Sequence, residues 1–279
     1  MIPDIQNPFF SDVARGVEDF AYANDYAVIL CSSDEQVDKQ NFYLNTMLSE
    51  YVDGIILPPI SGENALVTKL SLKYNVPIVC IDRRFEGAEL DTIVVDNRDG
   101  AFMAVEHLIR LGHRRIGIIT GLSTLSSIKE RRLGFMEALS VHDIPLLPHM
   151  LREGDSRYES GKNEAGVLLD MKSPPSALFV CNNLMTLGAF EAIHQRGVQV
   201  PGELSLIGFD DMPWAPSLHP PLTAIRQPSY KLGYQAAEML LDRIRNPHRP
   251  TTTVVLPSIL IERQSCGRLM ANPDDPAVN

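Results

Sequence analysis

Polar and aromatic residues follow most of the short apolar runs of this sequence, and their types suit the binding of a small polyhydroxylated molecule. Carboxylate, guanidinium and amide groups supply the acceptors and donors that hydroxyl groups require, and aromatic rings offer an apolar face to C–H surface. In open sheets of parallel strands, ligands bind beyond the carboxyl ends of the strands. The residues near such ends are Asn7, Phe9, Phe10, Asp82, Arg83, Arg131, Asn182 and Asp210.

Each of these residues also has a purely structural explanation. Phe9 and Phe10 could be core side chains at the start of a helix. Asn182 could be a helix N-cap, and Asp210 could cap the element that follows it. Asp82 with its neighbouring arginine could form a solvated turn. Because polar residues recur at the ends of nearly every strand-like run, the set as a whole favours the binding interpretation.

Motifs for catalysis are missing from the sequence. It contains no GxSxG nucleophile elbow, no GxxxxGKS/T phosphate loop and no HExxH zinc motif. None of its seven histidines has a recognisable metal or base partner. The sequence therefore predicts a binding protein and not an enzyme, with no cofactor and no metal ion.

Cysteine usage and charge restrict the setting and the partners. The four cysteines form no CxxC pair and mostly lie in or beside strand-like runs, where a free thiol behaves as a small buried hydrophobe. A reduced, cytoplasmic setting fits this pattern best. The net charge of −10 repels phosphate backbones, so we do not expect the chain to bind DNA by itself. No apolar run approaches the roughly 20 residues that a membrane span requires, and nothing resembles a signal peptide.

The elements that must position these residues alternate between strand and helix. Continuous apolar runs at residues 27–30, 54–57 and 77–81 are typical of parallel strands buried on both faces. Between them, apolar residues recur at helical spacing, as in Val13, Val17 and Phe20. This order predicts a doubly wound α/β fold. Because a helix begins near Phe10 and only Ile2 is available as strand before it, we expect that a few residues of a first strand have been lost upstream.

The same alternation starts again after residue 96. Strands are predicted at residues 115–120, 177–180 and 204–209, with a weak strand near Met150. Helices are predicted near residues 100–111, 130–141, 158–170 and 184–196, and a last helix and strand near 229–244 and 252–256. Two similar α/β halves in tandem explain this repetition.

The order and spacing of many short motifs resemble the LacI/GalR family of bacterial transcription regulators over nearly the whole chain. The motifs include Pro3-Asp4-Ile5-Gln6-Asn7-Pro8-Phe9-Phe10, Asp53-Gly54-Ile55-Ile56, Val95-Asp96-Asn97, Leu111-Gly112-His113-Arg114-Arg115-Ile116, Gly208-Phe209-Asp210-Asp211 and Ile261-Glu262-Arg263. The resemblance implies two doubly wound lobes of the periplasmic binding protein type I kind, joined by three crossovers. The N-terminal lobe would comprise residues 1–96 and 227–256, and the C-terminal lobe residues 97–226 and 257–270, followed by a disordered tail at 271–279.

Within the family, the candidate residues look most like the ribose-binding branch. Asn7, Phe9 and Phe10 match its asparagine and two phenylalanines, and Asp82 with Arg83 matches its Asp-Arg pair. Further matches are Arg131, Asn182, Asp210 and Gln227. Two positions depart from the pattern: Ser156 stands where relatives carry an aromatic residue, and Asn183 replaces a usual aspartate.

The resemblance also implies a function and partners. The chain would bind a pentose, ribose first, between its lobes and would control operator binding by a repressor. An upstream helix-turn-helix of about sixty residues, which is absent from this sequence, would read the operator DNA. The regulator would bind the operator as a homodimer. The alternative is a periplasmic sugar-binding protein of an ABC transporter. The Leu111-Gly112-His113-Arg114-Arg115 run and the unpaired cysteines argue against that alternative.

Overall fold

The computed structural model of the chain describes residues 1–60, 67, 69–70, 74–85 and 89–269. Contacts divide the chain into two compact units. Unit 1 comprises Met1–Asn97, Ser123–Glu130 and Gln227–Ser258, and unit 2 comprises Arg98–Leu122, Arg131–Arg226 and Ile259–Asn279. The tail 271–279, which the sequence predicts to be disordered, lies outside the described residues.

Helices and strands alternate between residues 97 and 209, as the apolar pattern predicts, whereas the first two helices follow each other without a strand between them. The helices are α1 (Pro8–Tyr22), α2 (Val37–Ser49), α3 (Asn97–Arg110), α4 (Ser126–Val141), α5 (Tyr158–Leu169), α6 (Asn183–Gln195) and α7 (Ser229–Arg245). The strands are β1 (Ile55–Leu57), β2 (Ile78–Ile81), β3 (Asp91–Val95), β4 (Ile116–Thr120), β5 (Leu151–Glu153), β6 (Ala177–Val180), β7 (Ser205–Phe209), β8 (Thr223–Arg226), β9 (Thr253–Leu256) and β10 (Ile259–Ile261).

Unit 1 is built on a parallel sheet with the strand order β1-β2-β3-β9. Every residue of β2 and β3 is buried. Burial on both faces explains why β2 reads as a continuous apolar run, whereas β3 begins with Asp91 and Thr92 and is not among the strands predicted from the sequence. Apolar side chains of α2 and β1, among them Leu44 and Leu57, pack into one cluster with Ile78 of β2. The parallel α/β architecture predicted from the sequence is confirmed for this unit.

The predicted strand at residues 27–30 is wrong. Val28, Ile29 and Leu30 are 40%, 56% and 44% exposed, and the only ladder bridge at this edge among the described residues joins Ile2 to Ser32. A groove of about 440 Å³ lies between this segment and β1, lined by residues of both and by apolar side chains of α1 and α7. The segment has the composition of a strand, but a strand also needs a neighbour to pair with.

Unit 2 is built on a six-stranded sheet with the order β10-β8-β7-β6-β4-β5. All its neighbours are parallel except β10, which pairs antiparallel with β8. β4, β6 and β7 are buried at every residue. The weak strand predicted near Met150 is β5, at the edge of the sheet and directly after a short 3-10 turn.

Glycines let helices of each unit pack backbone against backbone. In unit 1, a Cβ on Gly16 of α1 would lie 2.1 Å from the Tyr230 carbonyl oxygen, and a Cβ on Gly233 of α7 would lie 1.9 Å from the Val13 carbonyl oxygen. In unit 2, a Cβ on Gly161 of α5 would lie 2.2 Å from the Met185 carbonyl oxygen, and a Cβ on Gly188 of α6 would lie 2.0 Å from the Tyr158 carbonyl oxygen. Any side chain at these positions would force the paired helices apart.

Replacing Gly233 with Ala should therefore destabilise the protein by about 1–3 kcal/mol or more, because the carbonyl oxygen that the new methyl group meets cannot rotate away. The matched control is Gly202→Ala, where the nearest atom to a new Cβ is the Gln199 Cβ at 3.6 Å. Calorimetry and urea denaturation measure both. Equal midpoints for the two variants would contradict the close helix packing.

Candidate functional site

Three of the sequence-predicted site residues have a left-handed backbone. The φ angle is 63° at Asp82, 69° at Ser156 and 77° at Asp210, where glycine would be the easiest residue to accommodate. Such conformations cost of order 1 kcal/mol or more in other residues and persist where the surroundings determine them. Strain of this kind concentrates at functional positions, and here Asp82 and Asp210 come directly after β2 and β7.

In unit 1, the start of α1 holds three predicted residues. Asn7 is the N-cap of the helix, and its Oδ1 accepts a hydrogen bond from the Phe9 backbone nitrogen at 3.0 Å. Pro8 occupies the first helical turn, where its missing N–H costs nothing. Phe9 and Phe10 are buried with their ring centroids 4.9 Å apart, edge to face. The structural roles of cap and core are therefore both present at this helix start.

The Asp82-Arg83 pair in unit 1 is joined by a third residue, Glu35. The Arg83 Nη1 and Nη2 donate to the two Glu35 carboxylate oxygens at 2.9 and 2.5 Å, and its Nε lies 3.2 Å from Asp82 Oδ2. Burial by itself lowers the pKa of Arg83, but the charges and hydrogen bonds of the two carboxylates outweigh burial and raise that pKa. The guanidinium is therefore charged, buried and fixed in orientation.

Sequence reasoning missed Glu35, although a signal for it was available. Glu35 follows the apolar run at residues 27–31, so the rule that selected the other residues at strand ends also selects its loop. The remaining unit 1 candidate, Gln227, directly follows β8 and its side chain is buried.

In unit 2, Arg131 of α4 is held by two neighbours. Its Nη1 donates to the Cys181 carbonyl oxygen at 2.5 Å, and its guanidinium carbon lies 3.7 Å from the centroid of the Phe209 ring. A cation over an aromatic face in a desolvated place contributes on the order of 2 kcal/mol. Burial raises the pKa of the Cys181 thiol to about 12, with Arg131 opposing that rise and Asp210 adding to it. This cysteine is consequently a neutral thiol and a poor nucleophile.

The other three unit 2 candidates are linked to one another through backbone groups. Asn182 is the N-cap of α6: its Oδ1 accepts from the Met185 nitrogen at 2.9 Å, and its Nδ2 donates to the Ser156 carbonyl at 2.8 Å. The Asp210 Oδ2 accepts from the Asn183 nitrogen at 3.3 Å. Because Arg131 contacts residues adjacent to Asn182 and to Asp210, the structure brings all four predicted residues together.

The second carboxylate of the Asp210-Asp211 pair has a different role. The Asp211 side chain is 3% exposed and forms ion pairs with Arg226 at 2.6 Å and with Arg263 at 2.7 Å. Arg263 also donates to the Leu222 carbonyl oxygen. Asp211 thus joins β8 to the segment after β10, whereas Asp210 lies at the end of β7.

The chemistry that these residues can perform is binding through hydrogen bonds and ring contacts. Burial also raises the pKa values of the Cys80 and Cys266 thiols to about 12. Within the described residues, no three histidine, cysteine, aspartate or glutamate side chains are grouped as a metal site would require. No helix among those residues is long and apolar enough to cross a membrane.

Comparisons with known proteins identify the family of the chain. The family described as periplasmic binding protein-like domain matches residues 105–266. Among curated relatives, the ribose operon repressor of Haemophilus influenzae is 35% identical over 95% of this chain and 79% of its own length. The transcriptional repressor PurR of Aliivibrio salmonicida is 33% identical over 94% of this chain and 79% of its own length.

A solved structure extends the similarity to the fold. A LacI family transcriptional regulator from Enterococcus faecium with bound ribose superposes with a TM-score of 0.86 at 29% identity, covering 96% of this chain and 98% of that one. The sequence resemblance is therefore confirmed by the family match, by curated relatives and by the fold. The chain belongs to the LacI/GalR family of transcriptional regulators and carries its periplasmic binding protein-like effector domain.

Proposed function

We propose that this chain senses a small sugar, a pentose and ribose first, and that the sugar controls operator binding by a repressor. The observation that carries the proposal is the unit 2 constellation. A buried guanidinium, a carboxylate and an amide, those of Arg131, Asp210 and Asn182, are held in place by backbone groups and one aromatic ring. Fixed donors and acceptors side by side suit vicinal hydroxyl groups, because little ordering remains to be done on binding.

Unit 1 contributes the second half of the proposed set. Asn7, Asp82, Arg83 and Gln227 are all buried polar side chains, and Phe9 and Phe10 add aromatic surface near the first of them. The ribose operon repressor among the relatives and the ribose held by the Enterococcus faecium regulator support ribose as the first sugar to test. From the family we infer that a single ligand contacts the candidate residues of both units.

The regulatory part of the proposal follows from the relatives and from charge. Both curated relatives are repressors, and we infer that this chain regulates transcription in the cytoplasm. At a net charge of −10, the effector domain itself is a poor ligand for DNA, so a separate DNA-binding segment would make the operator contacts.

Asp210→Asn should weaken D-ribose binding about tenfold or more, because a charge-assisted hydrogen bond to a hydroxyl is lost while an oxygen remains for the Asn183 N–H. The melting temperature of the ligand-free protein should hardly change. Asp211→Asn is the matched control: it breaks the ion pairs with Arg226 and Arg263 and should lower that temperature. Calorimetric titration and thermal denaturation measure both quantities. Binding of a nucleobase but of no pentose would refute the ligand class, and equal destabilisation by the two variants would make Asp210 structural.

Ser156→Phe should tighten D-ribose binding by about 1 kcal/mol, because a ring at this position can lie against the C–H surface of the sugar. Since Ser156 has a φ angle of 69°, the ring also brings backbone strain, and Ser156→Gly separates the two effects. The glycine variant should raise the melting temperature of the ligand-free protein without a gain in affinity. If the phenylalanine changes the affinity for no sugar in a panel, then Ser156 does not contact the ligand.

The effector domain should form a homodimer in solution. The reason is that family members read two operator half-sites with a symmetric pair of subunits. Sedimentation velocity at tens of micromolar should show a species of twice the 31.0 kDa chain mass. A single species at the chain mass over that concentration range would refute the dimer.

A further inference from the structure

We propose that Glu35 is a positioning residue that fixes the Arg83 guanidinium and makes this part of unit 1 select uncharged ligands over anionic ones. The inference rests on the proposed function and deepens it, since it concerns the chemical class that the Arg83 site accepts. It starts from the paired hydrogen bonds between the Arg83 Nη atoms and the two Glu35 oxygens, at 2.9 and 2.5 Å.

The first step is the geometry of the guanidinium. Each Nη nitrogen donates one hydrogen bond to a Glu35 carboxylate oxygen, and an Asp82 oxygen lies 3.2 Å from the Nε. Two parallel bonds to one carboxylate hold the plane of the group, which a single contact cannot do. By valence, each Nη carries a second hydrogen that these contacts do not use. The orientation in which Arg83 meets a ligand is thereby set before the ligand arrives.

The second step is how Glu35 itself is held. Asp34 and Glu35 are consecutive residues with left-handed φ angles of 52° and 59°, a conformation that non-glycine residues rarely adopt. Asp34 accepts a hydrogen bond from the Ser32 hydroxyl at 3.0 Å and forms an ion pair with Lys39 of α2. The Ser33 backbone nitrogen donates a hydrogen bond to the Ile2 carbonyl oxygen at 2.9 Å. The loop is therefore anchored on both sides of the strained pair.

The third step is charge. Arg83 carries one positive charge, while Glu35 and Asp82 carry two negative charges, so the formal sum over the three side chains is −1. The Arg83 and Asp82 side chains are each 7% exposed and the Glu35 side chain is 26% exposed, so water screens the first two charges only weakly and that of Glu35 more. Without Glu35, the charges of Arg83 and Asp82 would sum to zero, and the two Nη groups that Glu35 now occupies could bind a phosphate or a carboxylate. With Glu35 present, a neutral hydroxyl group can accept from the guanidinium, whereas an anion meets net repulsion.

Removing Glu35 should change the ligand preference of the protein as well as its affinity. Glu35→Gln keeps the size of the side chain and one acceptor oxygen but loses the charge. It should weaken D-ribose binding about threefold to tenfold. At the same time, the ratio of the dissociation constants for D-ribose 5-phosphate and D-ribose should fall about tenfold, because the repulsion is relieved while the added bulk of the phosphate is the same for both proteins. Asp38→Asn, on the exposed surface of α2, removes one negative charge elsewhere and should leave both values unchanged.

A double-mutant cycle tests whether Glu35 acts through Arg83. In the Arg83→Ala background, Glu35→Ala should change D-ribose affinity by less than about twofold, whereas in the wild-type background it should weaken binding about tenfold. Equal effects in the two backgrounds would overturn the positioning role. An unchanged phosphate-to-sugar ratio in Glu35→Gln would overturn the charge selection, even if affinity or stability falls.

A ligand-free measurement separates this proposal from the proposed function. In side-chain nitrogen NMR spectra, the hydrogen-bonded Nη groups of Arg83 should rotate slowly and give resolved signals that disappear in Glu35→Ala and remain in Asp38→Asn. If those signals are unaffected by Glu35→Ala, Glu35 does not position Arg83. If they disappear while no pentose binds the wild-type protein, then the positioning holds and it is the proposed pentose function that fails.

Discussion

The candidate site depends on how the chain leaves a parallel strand. Asp82 and Asp210 each make one more backbone hydrogen bond to the neighbouring strand, with N···O distances of 3.1 Å to Ile93 and 2.9 Å to Ile225. The backbone then turns left-handed at the same residue. The sheet thus sustains a conformation that an unanchored loop would relax, and each carboxylate is fixed at a strand end. Preorganisation of this kind lowers the entropic cost of binding.

The buried arginines of the two candidate sets, one in each unit, are held by different chemistry. Arg83 lies against two carboxylates, whereas Arg131 lies against a carbonyl oxygen and the face of Phe209. A buried charge costs several kcal/mol unless polar groups compensate it, and both solutions do so within the unit that carries the arginine.

Much of the fold and of the site could be predicted because both follow from local pattern. Buried parallel strands read as apolar runs, and polar residues at their ends mark where ligands bind. The segment at residues 27–30 shows the limit of that reading, because strand formation depends on a partner that composition does not encode. Serine gives no signal for a left-handed turn, so the backbone of Ser156 could not be foreseen. The ring of Phe209 under Arg131 and the partner of Arg83 are tertiary contacts between residues 48 or more positions apart.

The glycine-mediated packing of α1 against α7 has a consequence for synthesis on the ribosome. The two helices are separated by about 200 residues, most of which belong to unit 2. At ribosomal rates of about 5–20 residues per second, α1 waits on the order of 10–40 s for the partner that covers it. β9, the last strand of the unit 1 sheet, emerges later still. Helix α1 is therefore among the helices of unit 1 that pack last, and its apolar face is open to chaperones and to aggregation until α7 has been synthesised.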